Sequence, residues 1–160
     1  MKIIENFISE KDLQGIQSEL QNCNFPWYYD GAIEPDSLET QFSHIFFNRL
    51  MQTSNYLHIL NPLLEKIPAL VYHRIKANLN YRTERVLETG EHVDLDDKRF
   101  KSAIFFINDC DGYCRIGDKK IYSKSNRLLI FDSDLVHTGT TTSDSRFRLL
   151  INLLYIPVND

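Results

Sequence analysis

From Leu70 onward the chain is a succession of short runs rich in Ile, Phe, Tyr and Leu, namely VYHRIKANL, KSAIFFIN, YCRI, KKIY, RLLIF and RFRLLINLLYI, set apart by polar turns. Runs of this length and composition predict about six to eight strands, and Gly117-Asp118 between CRI and KKIY predicts a tight hairpin. The first third reads differently. Ser9 stands as an N-cap before EKDLQGIQSEL, where Leu13, Ile16 and Leu20 recur at helical spacing, so a helix is predicted over roughly 10 to 22. After the turn-rich FPWYYDG, the mixed periodicity from Leu38 to Lys66, stopped by Pro62 and Pro68, predicts one or two further helices. Helices followed by strands point to a mainly β chain with N-terminal helices, a sandwich or jelly roll braced by helices on one outer face.

Composition narrows the class. The chain has 160 residues, 42% of them hydrophobic and 12% aromatic, which suits one domain over 1–160 with helical support to about 68 and a β core over about 69–157. Its net charge of -4, without a clustered basic face, makes a nucleic-acid partner unlikely. MKIIENFISEKDL is not a signal peptide and no apolar run is long enough for a membrane helix, so the expectation is a soluble protein of the cytoplasm, the host's if the chain is viral. Cys23, Cys110 and Cys114 are too few and too oddly spaced for a disulfide framework, and reduced thiols are expected.

Chemistry concentrates in EHVDLDD and FDSDLVHTG. Residues two apart on a strand share a face, so His92 and Asp94 set an imidazole beside a carboxylate. A paired strand after RLLIF would bring His137 opposite them. Two histidines and one carboxylate on one side of a metal leave the other side open, the arrangement of non-haem Fe(II) oxygenases, whereas zinc more often meets thiolates or a closed shell. Arg148, eleven positions after His137, can grip a carboxylate through two parallel hydrogen bonds. In RLLINLLYI, Arg148, Leu150, Asn152 and Leu154 share one face, so Asn152 faces the pocket if Arg148 does. A buried arginine without an anion is costly, which itself argues for a carboxylate beside it.

HVD, KSAIFFIN, NRLLIFDSDLVH and RFRLLINLLY together resemble the Fe(II)/2-oxoglutarate-dependent oxygenase superfamily, nearest its prolyl 4-hydroxylase-like branch, over roughly residues 70 to 156. IIENFISEKDL and FPWYY are similar to small members, including ones encoded by bacteriophages. The resemblance implies a double-stranded β-helix, with His92, Asp94 and His137 as iron ligands and catalytic residues and Arg148 holding the C5 carboxylate of 2-oxoglutarate. It also implies polar contacts to that cosubstrate from Asn78 and Tyr81 in KANLNYRTE. Fe(II), 2-oxoglutarate and O₂ are then the expected cofactors, with ascorbate as a reductant, and a peptide or small molecule is hydroxylated with release of succinate and CO₂. The chain departs from the family at two places. Phe106 stands where a tyrosine commonly helps hold 2-oxoglutarate, and Asp111-Gly112-Tyr113 replaces the usual paired glycines.

Several alternatives stay open at this stage. Arg146 rivals Arg148, since a regular strand would put both on one face. Asn80 adds polarity beside Asn78, and Arg82, Arg85 and Arg115 are either a substrate mouth or a solvated surface. CDGYC has no second cysteine pair to complete a metal site. His44, His58 and His73 read as structural or surface residues, and Trp27, Tyr28 and Tyr29 as core packing in preference to a pocket wall. Two other functions compete: a nucleobase demethylase of the same superfamily, and a cupin-like metal- or sugar-binding module without turnover. A monomer or weak dimer is expected.

Overall fold

The structure, a computed structural model, describes residues 1–30 and 41–158. In chain order these form β1 (Lys2–Ile4), α1 (Glu10–Leu20), β2 (Tyr28–Asp30), β3 (Gln41–Asn48), β4 (Met51–Gln52), a 3-10 helix (Asn55–Leu60) and α2 (Asn61–Leu64). There follow β5 (Ala69–Tyr81), β6 (Lys101–Phe106), β7 (Tyr113–Ile116), β8 (Lys119–Tyr122), β9 (Arg127–Asp132), β10 (His137–Thr138) and β11 (Phe147–Pro157). The major sheet runs β1-β9-β6-β11-β5-β3-β2, with β4 on β3, and the minor sheet runs β10-β7-β8. Every strand pair is antiparallel. The segment between β5 and β6 extends the minor sheet through single bridges at Glu88–Thr140 and His92–His137. The two sheets form a double-stranded β-helix.

β11 explains its own sequence. It lies between β5 and β6, and all eight residues from Arg148 to Tyr155 are buried, so both of its faces need apolar side chains. Leu149, Ile151 and Leu153 join Ile75, Ala77, Ala103, Phe105 and Leu128 beneath the helices, where Leu13, Ile16 and Leu20 of α1 cover them. The opposite face looks into the roll, where Leu150 packs with Ile104, Phe106, Cys114, Ile121, Leu129 and Phe131. Arg148 and Asn152 are the two polar side chains on that inner face of β11.

The N-cap is as the sequence predicts: Ser9 Oγ accepts the Asp12 N–H at 3.2 Å. Gly117, at φ 55°, makes the turn between β7 and β8. The stretch from Leu38 to Lys66 differs from expectation. Its described part opens with strand β3, and helix is confined to the 3-10 segment and α2. The cause is tertiary. β3 pairs along β5 from Phe42–Leu79 to Asn48–Arg74 with a bulge between Ile45 and Phe47, and His44 and Phe46 reach the helix-covered core, 4% and 0% exposed. The helical part thus ends as support for a sheet that begins well before residue 69. Among the described residues no helix is long and apolar enough to cross a membrane.

His44 is held neutral. Its Nδ1–H donates to the Pro26 carbonyl at 2.8 Å and its Nε2 accepts from the Ser54 hydroxyl at 2.7 Å. Burial lowers its pKa below the ordinary 6.5, against the weaker opposing pull of the Pro26 carbonyl. The neutral form is the folded form, so the stability it confers is present above pH 6.5 and lost as pH falls through the lowered value. Urea unfolding should therefore show stability dropping as pH falls below 6.5, and His44→Gln should flatten that segment of the profile.

Candidate metal centre and cosubstrate pocket

His92, Asp94 and His137 offer three ligand atoms all within 4.8 Å of one another. Backbone pairing brings the histidines together: the His92 N–H donates to the His137 carbonyl at 3.0 Å and the His137 N–H to the His92 carbonyl at 2.9 Å. The two side chains of such a directly opposed pair leave the sheet on one face, with ring centroids 4.4 Å apart. Each Nδ1–H donates to a carbonyl two residues back, Gly90 at 3.1 Å and Leu135 at 3.0 Å. That fixes the tautomer and leaves both Nε2 lone pairs for a metal. His137 is buried against the edge of Phe131, and burial lowers its pKa, which keeps the imidazole in its ligating form.

The Asp94 side chain is 3% exposed. Burial pushes its pKa up, but the Arg74 charge, the Ser102 hydroxyl and His137 outweigh this and hold the carboxyl below its usual value. Arg74 Nη2 lies 2.5 Å from Oδ1, Ser102 Oγ donates to Oδ2 at 2.6 Å, and Asn152 Nδ2 lies 3.5 Å from Oδ2. Oδ2 also stands 3.7 Å from His137 Nε2. Two imidazoles and one ionised carboxylate in this spacing suit a divalent metal with open positions.

Arg148 is 2% exposed and lies over the Phe106 ring, its Cζ 5.6 Å from the centroid. Nε donates to Ser123 Oγ at 2.7 Å and Nη1 to the Thr140 carbonyl at 3.3 Å, but Nη2 is buried with no partner. No carboxylate of the described residues pairs with it. Gly112 makes room for this arginine, because a Cβ there would stand 2.5 Å from Arg148 Cδ and 2.6 Å from the Thr141 carbonyl oxygen. The position of Phe106 is thus explained by packing under the guanidinium, and that of Gly112 by the arginine's passage.

Asn78 faces the roll opposite Leu150, and its Oδ1 is buried without a partner. Asn80 sits opposite Arg148 and donates to Gln41 Oε1 at 3.4 Å. Asn152 faces the same interior beside Asp94 and accepts from Arg74 at 3.2 Å. Tyr81 requires correction: strict alternation from Asn80 turns it to the opposite face of β5, and it is 38% exposed at the strand's end, so it does not reach the pocket. The two arginines at the start of β11 differ in setting: Arg146 precedes the strand and is exposed, while Arg148 is buried.

Arg115 is engaged by Glu88 at 2.8 Å and Glu91 at 3.1 Å, and Arg82 and Arg85 are exposed. All three cysteines are free, and burial raises the Cys114 thiol to about 12. Trp27 packs against the core and donates to the Leu20 carbonyl at 3.1 Å, whereas Tyr28 and Tyr29 are exposed and do not pack inward. Sequence reasoning missed Arg74, Ser102 and Ser123. The signal for Arg74 was present: in HRIKANLNY, Arg74, Lys76, Asn78 and Asn80 fall on one face and Ile75, Ala77 and Leu79 on the other.

No protein-family model matches the sequence, and no curated protein matches it. Solved structures do match by fold. A prolyl-4-hydroxylase from Pseudomonas putida superposes with a TM-score of 0.68 at 14% identity, over 97% of this chain and 91% of that one. The non-heme alpha-ketoglutarate-dependent epimerase SnoN of nogalamycin biosynthesis gives 0.72 at 10% identity, over 97% and 77%. HygX from Streptomyces hygroscopicus, crystallised with nickel, 2-oxoglutarate and hygromycin B, gives 0.63 at 12% identity, over 98% and 82%. The chain therefore has the fold of the Fe/2-oxoglutarate-dependent oxygenases, prolyl 4-hydroxylases among them.

The tight fit at Gly112 carries a test. Gly112→Ala should cost about 1–3 kcal/mol of stability through overpacking against Arg148 and the Thr141 carbonyl, read by urea unfolding. Gly15→Ala, on open helix surface, should cost nothing.

Proposed function

We propose that the protein is an Fe(II)- and 2-oxoglutarate-dependent oxygenase that hydroxylates a C–H bond of a peptide or small molecule. The observation that carries this reading is the pairing of the His92, Asp94 and His137 cluster with the buried, anion-less guanidinium of Arg148 in one roll. His92 Nε2, His137 Nε2 and an Asp94 oxygen would hold the metal. Arg148 Nη2 would donate to the far carboxylate of 2-oxoglutarate, replacing the hydrogen bond that is missing there. Bound together, Fe(II), 2-oxoglutarate and O₂ supply an oxidant for C–H bonds, with succinate and CO₂ as products.

The protein's share is orientation and the exclusion of water. Ser102 and Asn152 hold one oxygen of Asp94 and Arg74 the other, so the carboxylate keeps a single orientation. Ile104, Phe106, Leu150 and Phe131 make the surrounding wall apolar, which strengthens the Arg148 contact and keeps bulk water from the reacting atoms. Asn78 would add a polar contact along the cosubstrate. A binding module without turnover would have no need of Arg148's unpartnered donor, and the acidic net charge of -4 counts against a nucleobase demethylase. The names of the matching structures, a hydroxylase and an epimerase among them, leave the substrate to this chain's own pocket.

Succinate formation from 2-oxoglutarate in the presence of Fe(II) is the direct assay, and its absence under all substrates would contradict turnover. Arg148→Ala should raise the 2-oxoglutarate requirement roughly a hundredfold, for a loss of about 3 kcal/mol, while sparing Fe(II) binding. Arg146→Ala removes the same charge outside the strand and should change that requirement less than about tenfold.

A further inference from the structure

On the roll-facing side of β5, Arg74 and Lys76 stand two residues apart, between the metal cluster and the sheet edge. Arg74 spends Nη2 on Asp94 and Asn152, and its Nε is buried with no partner. Lys76 has a side chain only 16% exposed, and its ammonium is 3.4 Å from Asp30 Oδ2. Burial, and then the neighbouring Arg74 charge, lower its pKa against the pull of Asp30 and Asp94. With no metal bound, Asp94 and the exposed Asp30 are the two carboxylates that face these cations.

The charge balance sharpens once the site is used as proposed above, a reading on which this inference rests. Asp94 is then committed to the metal and Arg148 to the far carboxylate of 2-oxoglutarate. Among the described residues, the carboxylate left facing Arg74 and Lys76 is Asp30, whose side chain is 41% exposed. We propose that Arg74 and Lys76 together bind a carboxylate of the substrate and so place the neighbouring C–H group beside the metal. Because Arg74 touches the Asp94 carboxylate, an anion it holds lies next to the reacting position. This favours a free carboxylic acid, such as an amino acid or the C-terminal residue of a peptide, over an internal peptide residue, which has no charge at its backbone to offer.

The test uses the full chain loaded with redox-inert Zn(II) and saturating 2-oxoglutarate, titrated with propionate and with its neutral counterpart propionamide. Binding is followed by calorimetry and by the ¹⁵N–¹H resonance of the Arg74 Nε–H, identified by its loss in Arg74→Gln. Propionate should bind saturably and shift that resonance, and propionamide should do neither. Arg74→Gln and Lys76→Met should each weaken propionate binding about tenfold or more, and Lys76→Met should change 2-oxoglutarate affinity less than about threefold. Unchanged propionate affinity in both variants, an equal response to propionamide, or no saturable propionate binding would overturn the proposal. Should Arg74→Gln fail to fold, Lys76→Met, which does not touch Asp94, decides alone. Failure of 2-oxoglutarate itself to bind the Zn(II) protein would contradict the oxygenase reading instead, and is read separately.

Discussion

A carboxylate as enclosed as that of Asp94 is stable in ionised form only where fixed donors replace the water it has lost. Those donors come from three adjacent strands of the major sheet: Arg74 from β5, Asn152 from β11 and Ser102 from β6. The register that unites them is set by the buried faces, with Asn152 opposite both Lys76 and Ile104. A slip of one residue would turn Arg148 and Asn152 into the helix-covered core and Leu149 and Ile151 into the pocket. The apolar alternation that folds β11 therefore also aims the polar groups that steady Asp94. Opposite them, the His92–His137 backbone pair delivers both imidazoles from the minor-sheet side.

The same strand places the second half of the site. Arg148 precedes Asn152 by four residues on one face, roughly 13 Å along the strand, so a single element spans the pocket from guanidinium to metal cluster. Its burial over Phe106 and beside Gly112 takes the guanidinium out of water, where a hydrogen bond to an anion gains strength and its absence costs most. The two positions at which the sequence differs from the oxygenase pattern it resembles thus meet at one side chain. Phe106 offers an apolar surface to the arginine where a tyrosine would offer a hydroxyl, and Gly112 keeps its path clear.

What could be read from the sequence followed from short-range regularity. Ser9 caps α1, Gly117 turns a hairpin, and RLLINLLYI is apolar on both sides because both sides are covered, whereas His92 and Asp94 meet in an irregular segment held by a single bridge at His92 and not by the alternation of a regular strand. What could not be read depended on partners distant in the chain. Phe42, Ile45 and Phe46 in QFSHIFFN stand at helical spacing, and the segment is a strand because β5 offers it an edge. Tyr81 was placed with Asn78 by proximity, although one residue's difference in parity separates their faces. Arg146 and Arg148 differ in sequence by two positions and in structure by the onset of β11, which only the pairing with β5 defines. Arg74 lay in plain alternation with Lys76, Asn78 and Asn80, and its contact with Asp94 needed the chain to cross 20 residues and return.

The most direct test of the central claim is optical. Anaerobic addition of 2-oxoglutarate to the Fe(II)-loaded protein should produce a weak visible charge-transfer band, because the cosubstrate would chelate the iron held by His92, Asp94 and His137. Asp94→Ala should abolish it, since two imidazoles alone do not retain the ion. An unchanged band and unchanged iron affinity in that variant would show that the metal is held elsewhere and would contradict the account.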